Sequence, residues 1–576
     1  MTGFSGRISA SGQGMTVEPI DGQWAEPEAG LWIAIQGYPR WSEPRLEKED
    51  RARGSGGAIA AAYRERGERL FELIRGSFSL VLVDTVRGRV IAAVDRTGQR
   101  QLYHATHGEH LAIATTAGGA LAAAGLDRRL AHQQLFHYLY FHMIPAPGTA
   151  FEGVHKLPGA HFLGWQGGEA KVAPYWVPEF SEPASASAAE LMDLLRKAVG
   201  HAAQGESIGA FLSGGLDSST VSGLLAELRP GEADTYSIGF DAEGYDEMAY
   251  ARIAMRHFGT RAHEYYVTPE DVVGTVPKIA AAYDEPFGNS SALPAYFCAR
   301  MAADAGTRHL LAGDGGDELF AGNERYAKQG VFERWGRLPG SLRKGVLEPV
   351  LTNLPGRPNV LRKARSYVEQ ARTPLPDRLQ SYNFLHRLDP AEVLTGDFLE
   401  TIDLDAPLEL QRSTYRRPAH ASALNRMMYL DWQITLADND LRKVTRMCEL
   451  ADIEVSFPML DDDLVEYSLR IPSRLKLRNG RLRHFYKEAT KDFLPREIID
   501  KRKHGFGLPF GVWMGRHAPL RDLAYDSLSN LKKRGYIRPE FIDEAIRLHR
   551  EGHAGYYGEL IWVLMMLELW MEGHST

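Results

Sequence analysis

The chain has 576 residues, too many for one ordinary domain, so two or more domains are expected. Its formal charge of −7, with no dense Lys/Arg block, argues against a general nucleic-acid binder, and no apolar run approaches the roughly 18 residues needed to span a bilayer. Only two cysteines, Cys298 and Cys448, and no basic-then-apolar leader point to a cytoplasmic protein without a disulfide framework or a cysteine zinc site.

Strand-like pieces at residues 31–35, 79–83, 90–94 and 111–114, separated by polar turns, predict a β-rich sandwich up to about residue 170. An Arg/Glu-rich helical stretch, residues 51–75, interrupts them. The Ser/Pro/Ala run 181–188 reads as a linker. Beyond it, apolar strands alternate with long amphipathic helices, the pattern of a parallel sheet with crossover helices. The division expected is therefore 1–180 and 181–576.

The first apolar run of the second part breaks at Ser213-Gly214-Gly215 and continues into a helical segment from Asp217 through Ser218 and Ser219. Glycines there leave room for a phosphate, backbone N–H groups can point at it, and the helix N-terminus adds a positive dipole. The lysine of a Walker loop is missing, so a different nucleotide chemistry is implied. Next comes the strand 235–240, with Ser237, Ile238 and Gly239 at its carboxyl end, where ligands of open parallel sheets sit. Asp284-Glu285-Pro286 follows, and then a second strand-to-glycine turn, Gly313-Asp314-Gly315-Gly316-Asp317-Glu318. Carboxylates beside a pyrophosphate need a divalent cation between them, because like charges otherwise repel. A helical insertion rich in Arg and aromatic residues is expected over 330–420, and Arg502-Lys503 lies near the end of the chain.

The Ser213-Gly214-Gly215-Leu216-Asp217-Ser218 loop resembles that of enzymes that split ATP between the α and β phosphates and leave AMP on a carboxylate or carbonyl. With Arg75-Gly76-Ser77-Phe78-Ser79, Val94-Asp95-Arg96-Thr97-Gly98, Ile144-Pro145-Ala146-Pro147-Gly148-Thr149 and Lys156-Leu157-Pro158-Gly159 in this order, nearly the whole chain resembles the asparagine synthetase family. The resemblance implies an α/β protein: an N-terminal Ntn-hydrolase-like αββα sandwich and a C-terminal parallel α/β ATP-pyrophosphatase domain. It implies that Ser213, Gly214, Gly215, Asp217, Ser218 and Gly313 hold ATP and its pyrophosphate, and that Ser237, Ile238 and Gly239 line the base pocket. It further implies that Asp217 and Asp317 hold Mg2+, Asp314 faces the acyl-adenylate, Asp284 and Glu285 edge the substrate pocket, and Lys503 covers the phosphates as a mobile catalytic cation.

The sequence departs from the family at its glutaminase end. Thr2 stands where the family has its nucleophilic Cys, Gln36-Gly37-Tyr38 replaces an Asn-Gly-Glu motif, and no Arg-Leu-Ser motif is recognisable near Arg45-Leu46-Glu47. Farther on, Thr445 and Ser456 replace the family's usual Asp and Arg. With glutamine hydrolysis disabled, a substrate bearing its own amine is expected, as in the lasso peptide cyclases and β-lactam synthetases that resemble this pattern. The expected activity is ATP-dependent amide bond formation through an acyl-adenylate, with lasso peptide macrolactam cyclisation as the leading form. Alternatives are β-lactam synthesis, ammonia-dependent asparagine synthesis, or a catalytically dead binding protein. Expected partners are a peptide or small amino-acid-like substrate, with a leader peptidase and a leader-binding protein, and neither nucleic acid nor membrane.

Overall fold

The computed structural model describes residues 3–11, 14–182, 185–336, 367–368, 370–380, 383–502 and 507–574. Eleven antiparallel strands build the first part: β1 Ser5–Ser11, β2 Gly14–Asp21, β3 Trp24–Glu28, β4 Leu31–Trp41, β5 Ile74–Asp84, β6 Arg89–Val94, β7 Tyr103–His107, β8 His110–Ala114, β9 Val154–Lys156, β10 His161–Gln166 and β11 Glu169–Pro174. They form two sheets, ordered β2-β1-β8-β7-β9 and β11-β10-β6-β5-β4-β3. Alternation along β5 and β6 explains the layering. Val81, Val83, Val90, Ala92 and Val94 pack into the core between the sheets. Leu80, Leu82, Ile91 and Ala93 pack on the opposite face against Ala58, Ile59, Ala62 and Tyr63 of the helix Pro44–Arg66. The helix Ala117–Ala124 covers the other sheet, giving αββα layers. The helical stretch expected over 51–75 instead starts at Pro44, since proline is tolerated in a first turn, is kinked at Gly54, whose φ of 71° is not helical, and stops at Gly67, φ 57°.

Five parallel strands build the sheet of the second part: β12 Ile208–Phe211, β13 Asp234–Phe240, β14 Arg261–Val267, β15 His309–Leu311 and β16 Glu454–Ser456. Their order is β14-β13-β12-β15-β16. The chain winds outward from β12 to β14, then returns to place β15 on the other side of β12. The strand order reverses between β12 and β15, and there the loops leaving both carboxyl ends diverge around a crevice. The C-terminal helix Ala554–Gly573 is buried on all sides from Ile561 to Met571, and its Glu568 is neutralised by Arg534 at 2.9 Å. No described helix is long and apolar enough to cross a membrane.

Charged groups join the two parts. Arg40 reaches Asp461 at 2.7 Å, and Arg96 reaches Glu466 at 2.7 Å and Asp462 at 3.4 Å. Deepest is Lys156, 2% exposed, whose Nζ donates to the Ile144 carbonyl at 2.8 Å and pairs with Glu285 at 3.1 Å and Asp438 at 3.2 Å. Burial works against its charge, yet the two carboxylates hold its pKa above the ordinary lysine value. Replacing Lys156 by Met strands both acids, so unfolding free energy should fall by about 3–5 kcal/mol in a denaturant titration.

Lys476 is the contrasting case. Its Nζ is buried without a hydrogen bond, 5.6 Å from the Phe180 ring, and burial pushes its pKa down to about 7, with Glu182 opposing. The unfolded chain therefore binds the extra proton between that value and the ordinary 10.5, and the native lysine weakens the fold most at low pH. A Lys476→Met variant should gain stability that is complete below about pH 7 and vanishes as pH approaches about 10.5. Denaturant titrations across that range check this, and a gain independent of pH would contradict it.

Candidate functional site

The carboxyl end of β12 turns through Leu212, Ser213, Gly214 and Gly215 into the helix Leu216–Leu228. Gly214 has φ +70°, and a Cβ there would lie 2.4 Å from the Ala251 nitrogen and 2.5 Å from the Tyr250 carbonyl carbon. Glycine is thus required for left-handed backbone and for packing on the helix Met248–Phe258. The serines knit the loop. Ser218 Oγ receives the Ser213 N–H at 3.2 Å and lies 3.0 Å from Ser213 Oγ, which receives the Gly215 N–H at 3.3 Å.

The second loop leaves β15 through Gly313-Asp314-Gly315 into the helix Gly316–Phe320 and interlocks with the first. A Cβ on Gly316 would fall 2.1 Å from Asp217 Oδ1, and one on Gly313 would fall 2.7 Å from the Ser218 nitrogen. Between the loops opens a cleft of about 1060 Å³, bordered by Ser213, Gly215, Asp217, Ser218, Asp314 and Asp317 among others. Among the site residues expected from sequence, Ile238 and Gly313 also border it.

Arg483, which no sequence motif marks, holds the two acids together. Its Nη1 donates to Asp217 Oδ2 at 2.5 Å and to Asp317 Oδ1 at 3.2 Å, and its Nη2 also donates to Asp217. The guanidinium lies 4.5 Å from the Tyr486 ring. Burial disfavours its charge, but the carboxylates more than compensate and raise its pKa above the ordinary value. Its backbone is left-handed, φ 56°, which costs a non-glycine residue about 1–2 kcal/mol and is kept by these contacts. Asp217 and Asp317 are an oxygen-donor pair of the kind that, with phosphate oxygens, holds a hard divalent cation. No group of three or more His, Cys, Asp or Glu among the described residues could cage a metal alone.

Two further cations stand at the cleft, Lys443 from the segment in which Thr445 replaces the family's Asp, and Lys501, which no motif marks. Lys443 Nζ lies 3.6 Å from Asp314 and 3.4 Å from Asp440, all three bordering the cleft. Burial raises the Asp314 carboxyl, and Lys443 opposes it. Lys501 pairs with Glu247 at 2.9 Å and donates to the Gly214 carbonyl at 3.3 Å. Lys503 lies outside the described residues, but Lys501 and Arg502 just before it border the cleft. Thr2, Arg362, Arg365 and Tyr382 also lie outside the described residues.

Four of the expected site residues lie apart from the border of the cleft. Asp284 and Glu285 do not border the nucleotide cleft; they are spent on the junction with the first sandwich. Asp284 accepts from Arg442 and from the Ala117 N–H at 2.7 Å, and although burial pushes its carboxyl up, Arg442 and Arg446 pull it below the usual range. Glu285 pairs with Lys156 and accepts from the Tyr103 hydroxyl at 3.2 Å. Ser237 and Gly239 do not border the cleft either. Ser237 Oγ donates to the Leu212 carbonyl at 2.5 Å, and a Cβ on Gly239 would meet the Tyr266 ring at 2.6 Å. Strand alternation leaves Tyr236 and Ile238 as the bordering residues of β13.

Removing the Arg483 charge leaves facing carboxylates. Arg483→Met should lower stability by about 3–5 kcal/mol in denaturant titration, and Arg483→Lys, which keeps the charge but not the fork, by less. Equal losses in both would count against the ion pair as the holding force.

Comparison with known proteins agrees with this geometry. The asparagine synthase family model matches residues 190–572, and a glutamine amidotransferase domain model matches residues 45–176. Asparagine synthetase [glutamine-hydrolyzing] 1 of Bacillus subtilis is 24% identical over 89% of this chain and 80% of its own length. A putative glutamine-hydrolysing asparagine synthetase of Mycobacterium tuberculosis is 26% identical over 90% of this chain and 79% of its own. The amidase chry2 of Gibberella zeae is more distant, 23% identical over 83% and 76%. With the family model covering two-thirds of its length over the crevice just described, the chain belongs to the asparagine synthase family and is an ATP-dependent C–N ligase.

Proposed function

We propose that this ligase joins two groups of one substrate, and that the substrate is a peptide: an Asp or Glu side chain is adenylated, then captured by the peptide's own N-terminal amine, as in lasso peptide macrolactam cyclisation. The observation that carries the reading is the contrast between the two parts of the chain. The cleft keeps its acids and cations, whereas both cysteines, Cys298 and Cys448, are buried in the second part, and Thr2 stands where the family has its nucleophile. Ammonia released from glutamine is then not the nitrogen source. An amine carried by the substrate gains effective concentration, worth about 7–11 kcal/mol when well oriented.

In the first step a carboxylate oxygen attacks the α-phosphorus of ATP and pyrophosphate leaves. In the second, the amine attacks the acyl carbon, AMP leaves with the C–O bonding pair, and one proton is released. Asp217 and Asp317 are the residues that would hold Mg2+, whose charge offsets that of the leaving pyrophosphate. Ser213, Ser218 and the loop N–H groups cradle the phosphates, Asp314 with Lys443 faces the acyl group, and Lys503 is the cation assigned to the phosphates.

The relatives named as asparagine synthetases favour a second reading, amidation by free ammonia, and assays with a leader-free peptide, with ammonium and aspartate, and with ATP alone separate the two. The peptide reading expects AMP, pyrophosphate and a product lighter by one water; ADP as product, or turnover that needs ammonium and ignores peptides, would overturn it. Asp217→Asn and Asp317→Asn should abolish pyrophosphate release, while Lys503→Ala should still bind ATP yet turn over about 10²-fold or more slower. Thr2→Ala should leave ligation unchanged. Rapid-quench measurement of pyrophosphate and product distinguishes these variants.

A further inference from the structure

A second chamber, of about 1230 Å³, lies beside the nucleotide cleft and is larger than it. The wall between them is about one residue thick, because consecutive residues serve opposite sides. Asn439 borders the large chamber and Asp440 the cleft; Arg325 borders the chamber and Glu324 the cleft. A single side-chain hydrogen bond closes part of this wall, from Asn289 Nδ2 to Asn439 Oδ1 at 2.7 Å, with Asn289 itself bordering the cleft. The segment carrying Asn439 is a widened turn, residues Trp432–Asp440, in which the Leu441 N–H reaches back to the Leu436 carbonyl. Such wide turns shift the side chains that follow by one position around the helix.

The chamber's lining pairs aromatic surface with one carboxylate at the wall. Phe141, Phe384, Phe541, Tyr556 and Tyr557 supply the apolar faces. Glu559 projects beside the wall, where its described hydrogen bond comes from Ser290 Oγ at 3.3 Å, and no described ion pair reaches it. The other charges are already engaged: Asp431 takes Arg325 at 2.7 Å, Glu540 meets Arg538 at 3.5 Å, and Glu544 takes Arg547 at 2.7 Å. Glu392 and Arg387 are both exposed, and burial depresses His142 to about 4, so it adds no charge near neutrality. Burial also raises the Glu559 carboxyl, a penalty that an arriving cation would offset.

From this arrangement we infer that the large chamber is the acceptor subsite: it takes the amine-bearing end of a peptide-like substrate, with the primary ammonium seated on Glu559 and apolar side chains against the aromatic lining. The inference rests on the ligase reading above and adds the chemical class of the group that enters. A single amino acid would leave most of such a volume unfilled, whereas a short peptide fills it. The chamber adjoins the cleft where Asn439 and Asp440 serve opposite sides, the side on which the amine would meet the acyl group. Glu559 is assigned to binding, and no step is added to the reaction.

Binding of small probes tests this without turnover. The probes are Gly-Phe-Phe amide with a free N-terminus, its N-acetylated twin, and N-acetyl-Phe-Lys amide, titrated calorimetrically into the full chain with a non-hydrolysable ATP analogue present. The free tripeptide should bind, and both N-acetylation and Glu559→Gln should weaken it by roughly tenfold or more, the scale of one charge-assisted hydrogen bond. Comparable binding of N-acetyl-Phe-Lys amide supports the ammonium subsite and assigns its occupant to a lysine side chain; much weaker binding assigns it to the chain N-terminus. Equal affinity of the acetylated twin, an unchanged affinity in Glu559→Gln, or no binding of the free tripeptide overturns the inference. The affinity for the ATP analogue, read in the same samples, tells the two failures apart. If it is lost, the ligase reading falls; if it is intact while selection for an ammonium is missing, only the subsite falls.

Discussion

Two carboxylates on separate loops cannot face one another in a half-buried crevice without a cation, and much of the second domain follows from meeting that need. Asp217 and Asp317 each sit in the first turn of a helix that follows a parallel strand, so the strand-order reversal between β12 and β15 aims both at one point. Arg483 occupies that point through a bidentate fork. Its left-handed backbone and its stacking on Tyr486, whose hydroxyl donates to Thr220 at 2.9 Å, tie a third element to the first loop. The same negative point that holds a guanidinium suits a divalent cation with its phosphates. Arg483 and a bound metal therefore draw on the same carboxylate oxygens.

The parts of this design that are local in the chain are legible in the sequence. Strand, glycine turn and helix N-terminus occur within about a dozen residues, so Ser213 to Ser218 and Gly313 to Asp317 read as paired loops from their residue types and spacing alone. The strand-like pieces of the first part lie inside β4, β5, β6 and β8, since continuous apolar runs in central strands need no long-range information. Arg483 carries no local signature: it is one basic residue among many, and its meaning comes only from which acids it meets. Asp284 and Glu285 show the opposite case. The Asp-Glu-Pro turn has a strong local pattern, but its acids are claimed by Lys156 and Arg442, residues more than a hundred positions away. Ser237 and Gly239 illustrate a simpler effect, since period-2 alternation turns neighbours of a cleft residue to the other face.

The glycines show how one residue type answers to two demands. Gly214 looks like an accommodation to phosphate, yet its missing Cβ is required by the backbone of Tyr250 and Ala251 whether or not a ligand is present. Gly316 has the same character, because its Cβ would strike Asp217. The cradle is thus preorganised by protein packing, and a ligand need not bear the cost of shaping it.

The same reasoning explains why a sandwich with an altered glutaminase end remains tied to the ligase. Its Lys156 holds Asp438, and Asp438 Oδ2 in turn receives the Ala146 N–H at 2.8 Å. Asp438 is the residue before Asn439 and Asp440, and the wide turn that ends there sets Lys443 against Asp314. Arg442, between them in sequence, is held by Asp284 and Gln101, the latter from the first part. Separating the two parts would take Lys156 from Glu285 and Asp438. It would also free the segment from which both the cleft wall and the chamber wall are made. The buried charges of the first domain therefore give it a structural role in the ligase domain, since they fix the segment that walls the cleft.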